Sequence, residues 1–258
     1  MTAFPSAPRV LVTRENPGPL VEAITSAGGE AVILPLLATK WLAFALPAGV
    51  SLDDYEWVAF TSARAVEGLA RAAEQRQWMW PPKARAAAVG EHTADELQAL
   101  GWTPECVAGD GSARALVEAL RARSVLGARI LFPCSAIAEA ALLEGLRAAG
   151  ATVDAVPVYT TEVAWKDSPE QLPLLGRELV EALEGGCVAT CASPSAARAL
   201  ADLAFAAGAL DALRRTPLVV IGPTTAAATE ALGLRPIQSE GRSWASLARK
   251  AVEVGLGI

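Results

Sequence analysis

The chain has 258 residues and a formal charge of −6, and is 52% hydrophobic and 19% charged: apolar enough to bury a core, and too acidic overall for a nucleic-acid footprint. Its four cysteines, Cys106, Cys134, Cys187 and Cys191, lack zinc spacing and read as small buried hydrophobes in a reducing compartment, while no apolar run reaches the roughly 18 residues of a membrane span. A single histidine, His92, excludes a multi-histidine metal site, and the chain has no Walker A sequence, no G-x-G-x-x-G after a strand and no G-x-S-x-G elbow, so an enzyme here works without metal, nucleotide or pyridoxal.

Short β-branched runs alternate with Ala/Leu helices. RVLVT (Arg9–Thr13) predicts a strand, PLVEAITSAG (Pro19–Gly28) a helix stopped by glycine, and EAVILPL (Glu30–Leu36) a second strand. WVAFTS leads into the helix ARAVEGLARAAEQ, RAAAVG into TADELQAL, and PECVAG into SARALVEALRAR. ARILFP leads into a helix from Ile137 to Gly150, and ATVDAVPVYT closes that set. EQLPLLGRELVEALEGG is helical, CVATCAS leads into SAARALADLAFAAG, and PLVVIG into TAAATEALG. RPIQ is extended, and WASLARKAVEVG is the last helix. This alternation predicts parallel sheets covered by helices on both faces, and ten strands predict two sheets of five.

The chain carries an internal duplication. AVGEHTADELQALGWTP (Ala88–Pro104) and VIGPTTAAATEALGLRP (Val220–Pro236) share Gly, Thr, Leu-Gly and Pro positions at an offset of 132 (222 − 90). FTSARAVEGL (Phe60–Leu69) matches CASPSAARAL (Cys191–Leu200) at 131 (191 − 60). RVLVTRE pairs with RILFPCS at only 120 (129 − 9), and precedes the other two motifs in one half but follows them in the other. A tandem repeat would not do this; a split domain does. The expected division is 1–38 with 162–258 as a discontinuous α/β domain, 42–158 as an inserted one, and 38–42 and 158–162 as the linker.

Every one of these motifs falls where a strand ends and a helix begins, the edge at which open parallel sheets bind ligands. Thr13-Arg14, Ser62-Ala63-Arg64, Gly90 to Thr93, Ser135, Ser193-Pro194-Ser195 and Gly222 to Thr225 present backbone N–H groups at helix starts, which attract anions. The same residues also read as ordinary caps, and Thr93 with Glu96 fits a capping box. Arg14, Arg64 and Arg198 are close enough to strand ends to reach carboxylates, or are surface ion pairs. His92 has Thr224 as its counterpart in the other half and reads as incidental. Tyr159, in the crossing segment VPVYTT, either faces a cleft or packs a hinge.

The order VLVTRE, DYEWVAFTSARAV, AVGEHTADELQALGW, RILFPCSAIAEAALLEGLRAAGATVDAVPVYTT, SPSAARAL and VIGPTTAAATEALG resembles the uroporphyrinogen-III synthase family over about residues 9–250. The resemblance implies two flavodoxin-like parallel-sheet domains joined by a two-stranded linker. It implies a hydro-lyase, free of cofactors, that closes hydroxymethylbilane, a linear tetrapyrrole with eight carboxylates, inverting ring D through a spiro intermediate with loss of water. It further implies that Tyr159 assists departure of the substrate hydroxyl, and that Ser62, Thr93, Ser193, Thr224 and Thr225 line the cleft; the strand-end reading, apart from the resemblance, adds Thr13, Arg14, Ala63, Arg64, Gly90, Ser135, Pro194, Ser195 and Gly222 as substrate-binding residues. Where the family pattern would read FTSPSA this chain has CASPSA, so Ala192 lacks a threonine hydroxyl. The expected setting is a cytoplasmic monomer without a secretory signal, with a transient contact to hydroxymethylbilane synthase left open. The rival from another class is a two-domain ligand-binding module of the periplasmic or sensor type.

Overall fold

Buried strands flanked by helices need apolar residues on both faces, and the strands here supply them: Val10 to Val12 and Trp57 to Phe60 are all 0% exposed. The computed structural model describes residues 7–109, 111–137 and 140–258. Residues 1–6 of the expected first domain, Asp110, and Ala138 and Glu139 of the helix expected from Ile137 lie outside the described residues. The strands are β1 (Arg9–Val12), β2 (Glu30–Ile33), β3 (Leu37–Trp41), β4 (Trp57–Phe60), β5 (Arg85–Ala88), β6 (Cys106–Val107), β7 (Arg129–Ser135), β8 (Thr152–Val163), β9 (Val188–Cys191), β10 (Leu218–Val220) and β11 (Pro236–Gln238). The helices are α1 (Gly18–Ser26), α2 (Ala63–Arg76), α3 (Glu91–Ala99), α4 (Ala113–Arg121), α5 (Ala140–Ala148), α6 (Leu172–Glu184), α7 (Pro194–Ala206), α8 (Leu210–Arg215), α9 (Pro223–Ala231) and α10 (Trp244–Leu256).

The chain divides into two compact units, Met1–Ala38 with Glu162–Ile258, and Thr39–Thr161. The first holds a five-stranded sheet in the order β2-β1-β9-β10-β11, with parallel pairing from β1 to β2 and β9, and from β10 to β9 and β11. The second sheet has six strands, not five, in the order β3-β8-β7-β4-β5-β6. The additional strand, β3, reads LATKW; it shows no clean alternation in sequence and is extended because it borders β8. The short helix α8 was likewise not expected from the sequence.

Leaving β3 aside, the two sheets have one spatial plan. Matching β1 with β7, β2 with β8, β9 with β4, β10 with β5 and β11 with β6 superposes the two strand orders position by position. In the first unit the chain enters at β1, giving the flavodoxin-like order 2-1-3-4-5. In the second it enters at β4, the third place in that plan, and reaches the β7 position afterwards. The units are circular permutations of one another, which is why the RVLVTRE–RILFPCS pair falls out of sequence with the other two repeats.

Alternation along each strand feeds both helical layers. Val58 and Phe60 of β4 join the cluster under α2 and α3, while Trp57 and Ala59 join the one under α4 and α5. Val10 and Val12 of β1 face α1 and α10, and Leu11 faces α6 and α7. Each fully buried Leu or Phe contributes about 1.5–3 kcal/mol.

Strand β8 breaks the alternation once. Cys134 of β7 pairs with Pro157, but Ser135 pairs with Tyr159, so Val158 is an extra residue in a bulge. As a result, Val158 and its neighbour Tyr159 both pack against the cluster under α2, which a regular strand would forbid. Pro157 has no N–H to give to a ladder, so the bulge falls where pairing is already weakened. Helix α2 locks the bulge from above. A Cβ on Gly68 would stand 2.7 Å from Cγ2 and 2.8 Å from Cβ of Val158, and 3.4 Å from the Trp41 ring.

Helix propensity alone would make Gly68→Ala stabilising by about 1 kcal/mol, but overpacking against a stiff valine costs about 1–3 kcal/mol. Gly68→Ala is expected to lower the unfolding free energy by up to about 2 kcal/mol, read from the midpoint of urea unfolding at unchanged slope.

All four cysteines are free and buried. Burial pushes the thiols of Cys134 and Cys187 up to about 11 and that of Cys191 to about 12, and raises Cys106. Because these values are raised in the folded state, the unfolded chain loses its thiol protons first, near its ordinary value of about 8.5. Stability is therefore expected to be unaffected by the thiols below about pH 8.5 and to fall as pH climbs toward 12. Urea unfolding across that range tests this, and Cys191→Ala should flatten the slope.

Candidate functional site

Parallel pairing sends the carboxyl ends of the strands other than β3, which runs antiparallel to β8, to the same edge of their sheet, and helices begin at that edge. The serines at these turns are caps. Ser62 is extended (φ −159°, ψ 151°) and its Oγ accepts from the Ala65 N–H at 3.1 Å, starting α2. Ser193 is nearly identical (φ −155°, ψ 157°) and accepts from the Ala196 N–H at 3.2 Å, starting α7. A second pair lies at the same offset of 131 (243 − 112): Ser112 caps α4 through the Ala115 N–H and Ser243 caps α10 through the Ser246 N–H, each at 3.1 Å. Sequence reasoning missed this pair, although GDGS and EGRS before helical runs were a usable signal.

The Gly-x-x-Thr turns repeat as closely. Gly90 (φ −178°, ψ 176°) and Gly222 (φ −176°, ψ 176°) cap α3 and α9, each nine residues long. Both helices end at a glycine with left-handed backbone, Gly101 (φ 81°) and Gly233 (φ 72°), where the Leu-Gly pair of the repeat is needed. This corrects the expected capping box: Thr93 is the third residue of α3, not its cap, and Glu96 lies a turn further on. The geometric reason is that Gly90 is already extended and its carbonyl takes the N–H bonds of Thr93 and Ala94. Thr93 and Thr225 are buried, at 4% and 3% exposure, so each presents little of its side chain to a ligand.

In the second unit the strand ends enclose a cavity of about 280 Å³, lined by Thr61, Ser62, Val89, Gly111, Ala113, Phe132, Cys134, Ser135, Ile137 and Tyr159. The structure thus brings together Ser62 and Ser135 from the ends of β4 and β7 and Tyr159 from within β8. Ser62 Oγ and Tyr159 Oη are 3.1 Å apart and hydrogen-bonded. Ser135 Oγ accepts from the Ile137 N–H at 3.3 Å, shaping the turn after β7. The Tyr159 ring meets Trp41 edge-on, with centroids 6.4 Å apart at 62°, and the Arg71 guanidinium lies 4.7 Å over Trp41. Gly90 is not among the lining residues; a Cβ there would stand 3.4 Å from Cα of Gly111, which is. Ala63 and Arg64 form the first turn of α2 and are not among the lining residues. Val89, Gly111, Ala113, Phe132 and Ile137 line the cavity without having been singled out, because small and apolar residues at a strand end carry no signal of chemistry; Cys134, read as a buried hydrophobe, lines it too.

The other tyrosine sits at the opposite edge of the same sheet. Tyr55 Oη donates to Asp154 Oδ2 at 2.8 Å, and Arg129 holds the same oxygen through Nε and Nη2, both at 2.8 Å. Burial first, and then the Asp154 carboxylate, push the Tyr55 hydroxyl well above its ordinary range, so it stays protonated as a structural donor.

In the first unit the expected residues lie at the ends of β1, β9 and β10. Ser193 Oγ also contacts Ser195 Oγ at 3.0 Å, Pro194 is the first residue of α7, and Thr224 is exposed beside Gly222. Thr13 is a correction. It is 1% exposed and its Oγ1 donates to the Thr190 carbonyl at 3.0 Å, while Thr190 Oγ1 donates to the Leu11 carbonyl at 2.7 Å. The hydroxyl expected to meet a ligand instead clips β1 to β9. The Arg14 guanidinium lies 3.9 Å over the ring of Trp244, a stacking partner that the sequence did not indicate.

These features define an α/β protein of two permuted parallel-sheet units, one with a hydroxyl-bearing cavity at its strand ends. Among the described residues no His, Cys, Asp and Glu cluster could hold a metal ion, and no helix is long and apolar enough to cross a membrane. The chain belongs to the uroporphyrinogen-III synthase family: residues 18–249 match the family model described as Uroporphyrinogen-III synthase HemD. It is 30% identical over 173 residues to the uroporphyrinogen-III synthase of Synechococcus elongatus, a match that spans 64% of this chain and only 62% of that protein. It is 27% identical over 237 residues to a putative uroporphyrinogen-III synthase of Methanothermobacter thermautotrophicus, spanning 89% of this chain and 91% of the relative. In fold it is similar to the crystal structure of uroporphyrinogen-III synthetase from Helicobacter pylori, with a TM-score of 0.62 at 16% identity over 96% of this chain and 99% of that one. It is also similar to a mutant uroporphyrinogen III synthase from the extremely thermophilic bacterium Thermus thermophilus, with a TM-score of 0.58 at 20% identity over 97% and 99%.

The Thr13 assignment has a direct test. Thr13→Val removes one buried hydrogen bond and is expected to cost about 1 kcal/mol of stability, whereas Thr13→Ser keeps the bond and most of that stability, both read by chemical unfolding.

Proposed function

We propose that this chain is a uroporphyrinogen-III synthase: a hydro-lyase that closes hydroxymethylbilane to uroporphyrinogen III, inverting ring D through a spiro intermediate and releasing one water. The observation that carries this reading is Tyr159, a phenol hydrogen-bonded at the strand-end cavity of a chain that belongs to this family. The substrate's hydroxymethyl pyrrole ionises readily to an azafulvene cation once its hydroxyl departs. Tyr159 Oη–H is placed to donate to that departing oxygen, which leaves as water. The demanding step is selection of the carbon that meets the cation, so catalysis rests on orientation and on electrostatics more than on strong acids or bases.

The substrate's carboxylates would be met by backbone N–H groups at the Ser62 and Gly90 turns and by the Ser135 hydroxyl in one unit, and by Ser193, Ser195, the Gly222 turn and Thr224 in the other. Fixed peptide dipoles are independent of formal charge, so a chain of net charge −6 can hold a polyanion this way. Arg14 and Arg64 are the cations of this set. Segments 38–42 and 158–162 serve as the linker between two domains, and the enzyme acts as a cytoplasmic monomer without a cofactor.

The decisive experiment supplies enzymatically made hydroxymethylbilane and separates the product isomers by chromatography. The type III isomer is the expected product, and type I alone rejects the reading. In the same assay Tyr159→Phe is expected to lower turnover about ten- to hundredfold, the worth of one hydrogen bond to developing charge (about 1.5–3 kcal/mol), while leaving measurable activity. Complete inactivation of a folded variant would refute a merely assisting role.

A further inference from the structure

Ser62 has more to do than cap a helix. Its Oγ carries one proton and two lone pairs. One lone pair is committed to the Ala65 N–H at 3.1 Å. At 3.1 Å the bond to Tyr159 Oη can run in either direction. The two directions have different chemical consequences. If the phenol donates to Ser62, its only proton is used inside the protein. If Ser62 donates to the phenol oxygen, the phenol proton is left for the cavity, where the departing hydroxyl needs it.

We propose that Ser62 is a positioning residue for Tyr159: anchored by the first turn of α2, it donates to the phenol oxygen and so directs the phenol proton into the cavity. This rests on the reaction assigned to Tyr159 above. The chain of donors then runs Ala65 N–H to Ser62 Oγ–H to Tyr159 Oη–H to the leaving oxygen. Each acceptor in it is polarised into a better donor by the bond behind it. As Tyr159 gives up its proton, negative charge develops on Oη, and the Ser62 bond becomes charge-assisted, with the positive end of α2 behind it. The contribution therefore grows toward the transition state and belongs in kcat, not in KM.

The surrounding packing supports a positioning role. The bulge at Val158 re-aims Tyr159 toward α2, and Trp41 closes on the ring edge-on. The same helix that Ser62 caps presses on Val158 through Gly68, so the donor and the phenol are held by one element. The repeat provides an internal contrast. Ser193 caps α7 with nearly the same backbone angles, but its second hydroxyl partner is Ser195 and not a phenol.

The test combines Ser62→Gly, Ser62→Thr, Tyr159→Phe and the Ser62→Gly/Tyr159→Phe double variant. Glycine caps a helix within a few tenths of a kcal/mol of serine, so the fold is kept while the hydroxyl is lost. Ser62→Gly is expected to lower kcat about tenfold with KM within about twofold, and Ser62→Thr to restore most of it. On the Tyr159→Phe background the same change should cost less than about twofold, because the group it positions is gone. Equal costs on both backgrounds, or a raised KM at unchanged kcat, overturn the proposal. Ser193→Gly should act alike on both backgrounds, and coupling to Tyr159 there would also overturn it.

A second readout needs no turnover. The chain has only two tyrosines, so ring-labelled tyrosine gives two resolvable Cζ signals, assigned with Tyr55→Phe. The Tyr159 signal should move in Ser62→Gly and stay in place in Ser193→Gly; an unmoved signal sinks the bond itself. If the unaltered chain makes no type III isomer, the proposed function fails, while this spectroscopic arm still decides whether Ser62 holds Tyr159.

Discussion

Parallel pairing is the constraint from which the rest of this protein follows. A parallel sheet must cross over between strands, so helices cover both faces and the central strands are buried on both sides. That is why Val10 to Val12 and Trp57 to Phe60 are without exposed surface. It also collects the carboxyl ends of the parallel strands at one edge, where each following helix leaves N–H groups to be satisfied. The four serine caps, Ser62, Ser112, Ser193 and Ser243, and the two glycine caps, Gly90 and Gly222, are the chain's answer at those edges. A ligand-binding edge is thus a by-product of making the helix starts satisfactory.

The permutation adds a second lesson. Both units use one spatial order of strands, yet the chain enters them at different places. Sheet stability depends on which strands are neighbours and in what register, and much less on which loop joins them. Once connections are made on the surface, a plan of five parallel strands tolerates a new entry point, because the strand neighbours stay the same. The cost is a long excursion. Strand β8 spans twelve residues, pairing with β7 for most of its length before the chain returns to the first unit. The bulge at Val158 falls just before that return, and places the cavity's phenol on a segment held by pairing on one side and by helix packing on the other.

Family membership and site chemistry support each other without being the same evidence. The match spans residues 18–249 and omits the first strand with Thr13 and Arg14. In the structure these two are also the expected residues whose side chains have other work, across β9 and over Trp244. The hydroxyls that do converge on the cavity, at Ser62, Ser135 and Tyr159, all lie inside the matched range. The ring closure proposed above asks for held geometry and a few donors, and the hydroxyls at the second unit's cavity are a set of that kind.

The amino-acid sequence by itself determined what depends on near neighbours. Strand and helix alternation, glycine stops at Gly101 and Gly233, serine caps at Ser62 and Ser193, and the out-of-order duplication are all written within windows of a few residues, because hydrophobic period and capping are local physics. Thr93 shows the limit even there: a capping-box pattern lost to a glycine that was already extended. What only the tertiary structure decided are the encounters between distant residues. Ser62 meets Tyr159 across 97 positions, Thr13 meets Thr190 across 177, β3 becomes a strand by pairing beside β8, and Val158 bulges under Gly68. No local pattern encodes these contacts, because a hydroxyl has the same propensities whether it ends facing a cavity or buried between strands; only the packed neighbours choose.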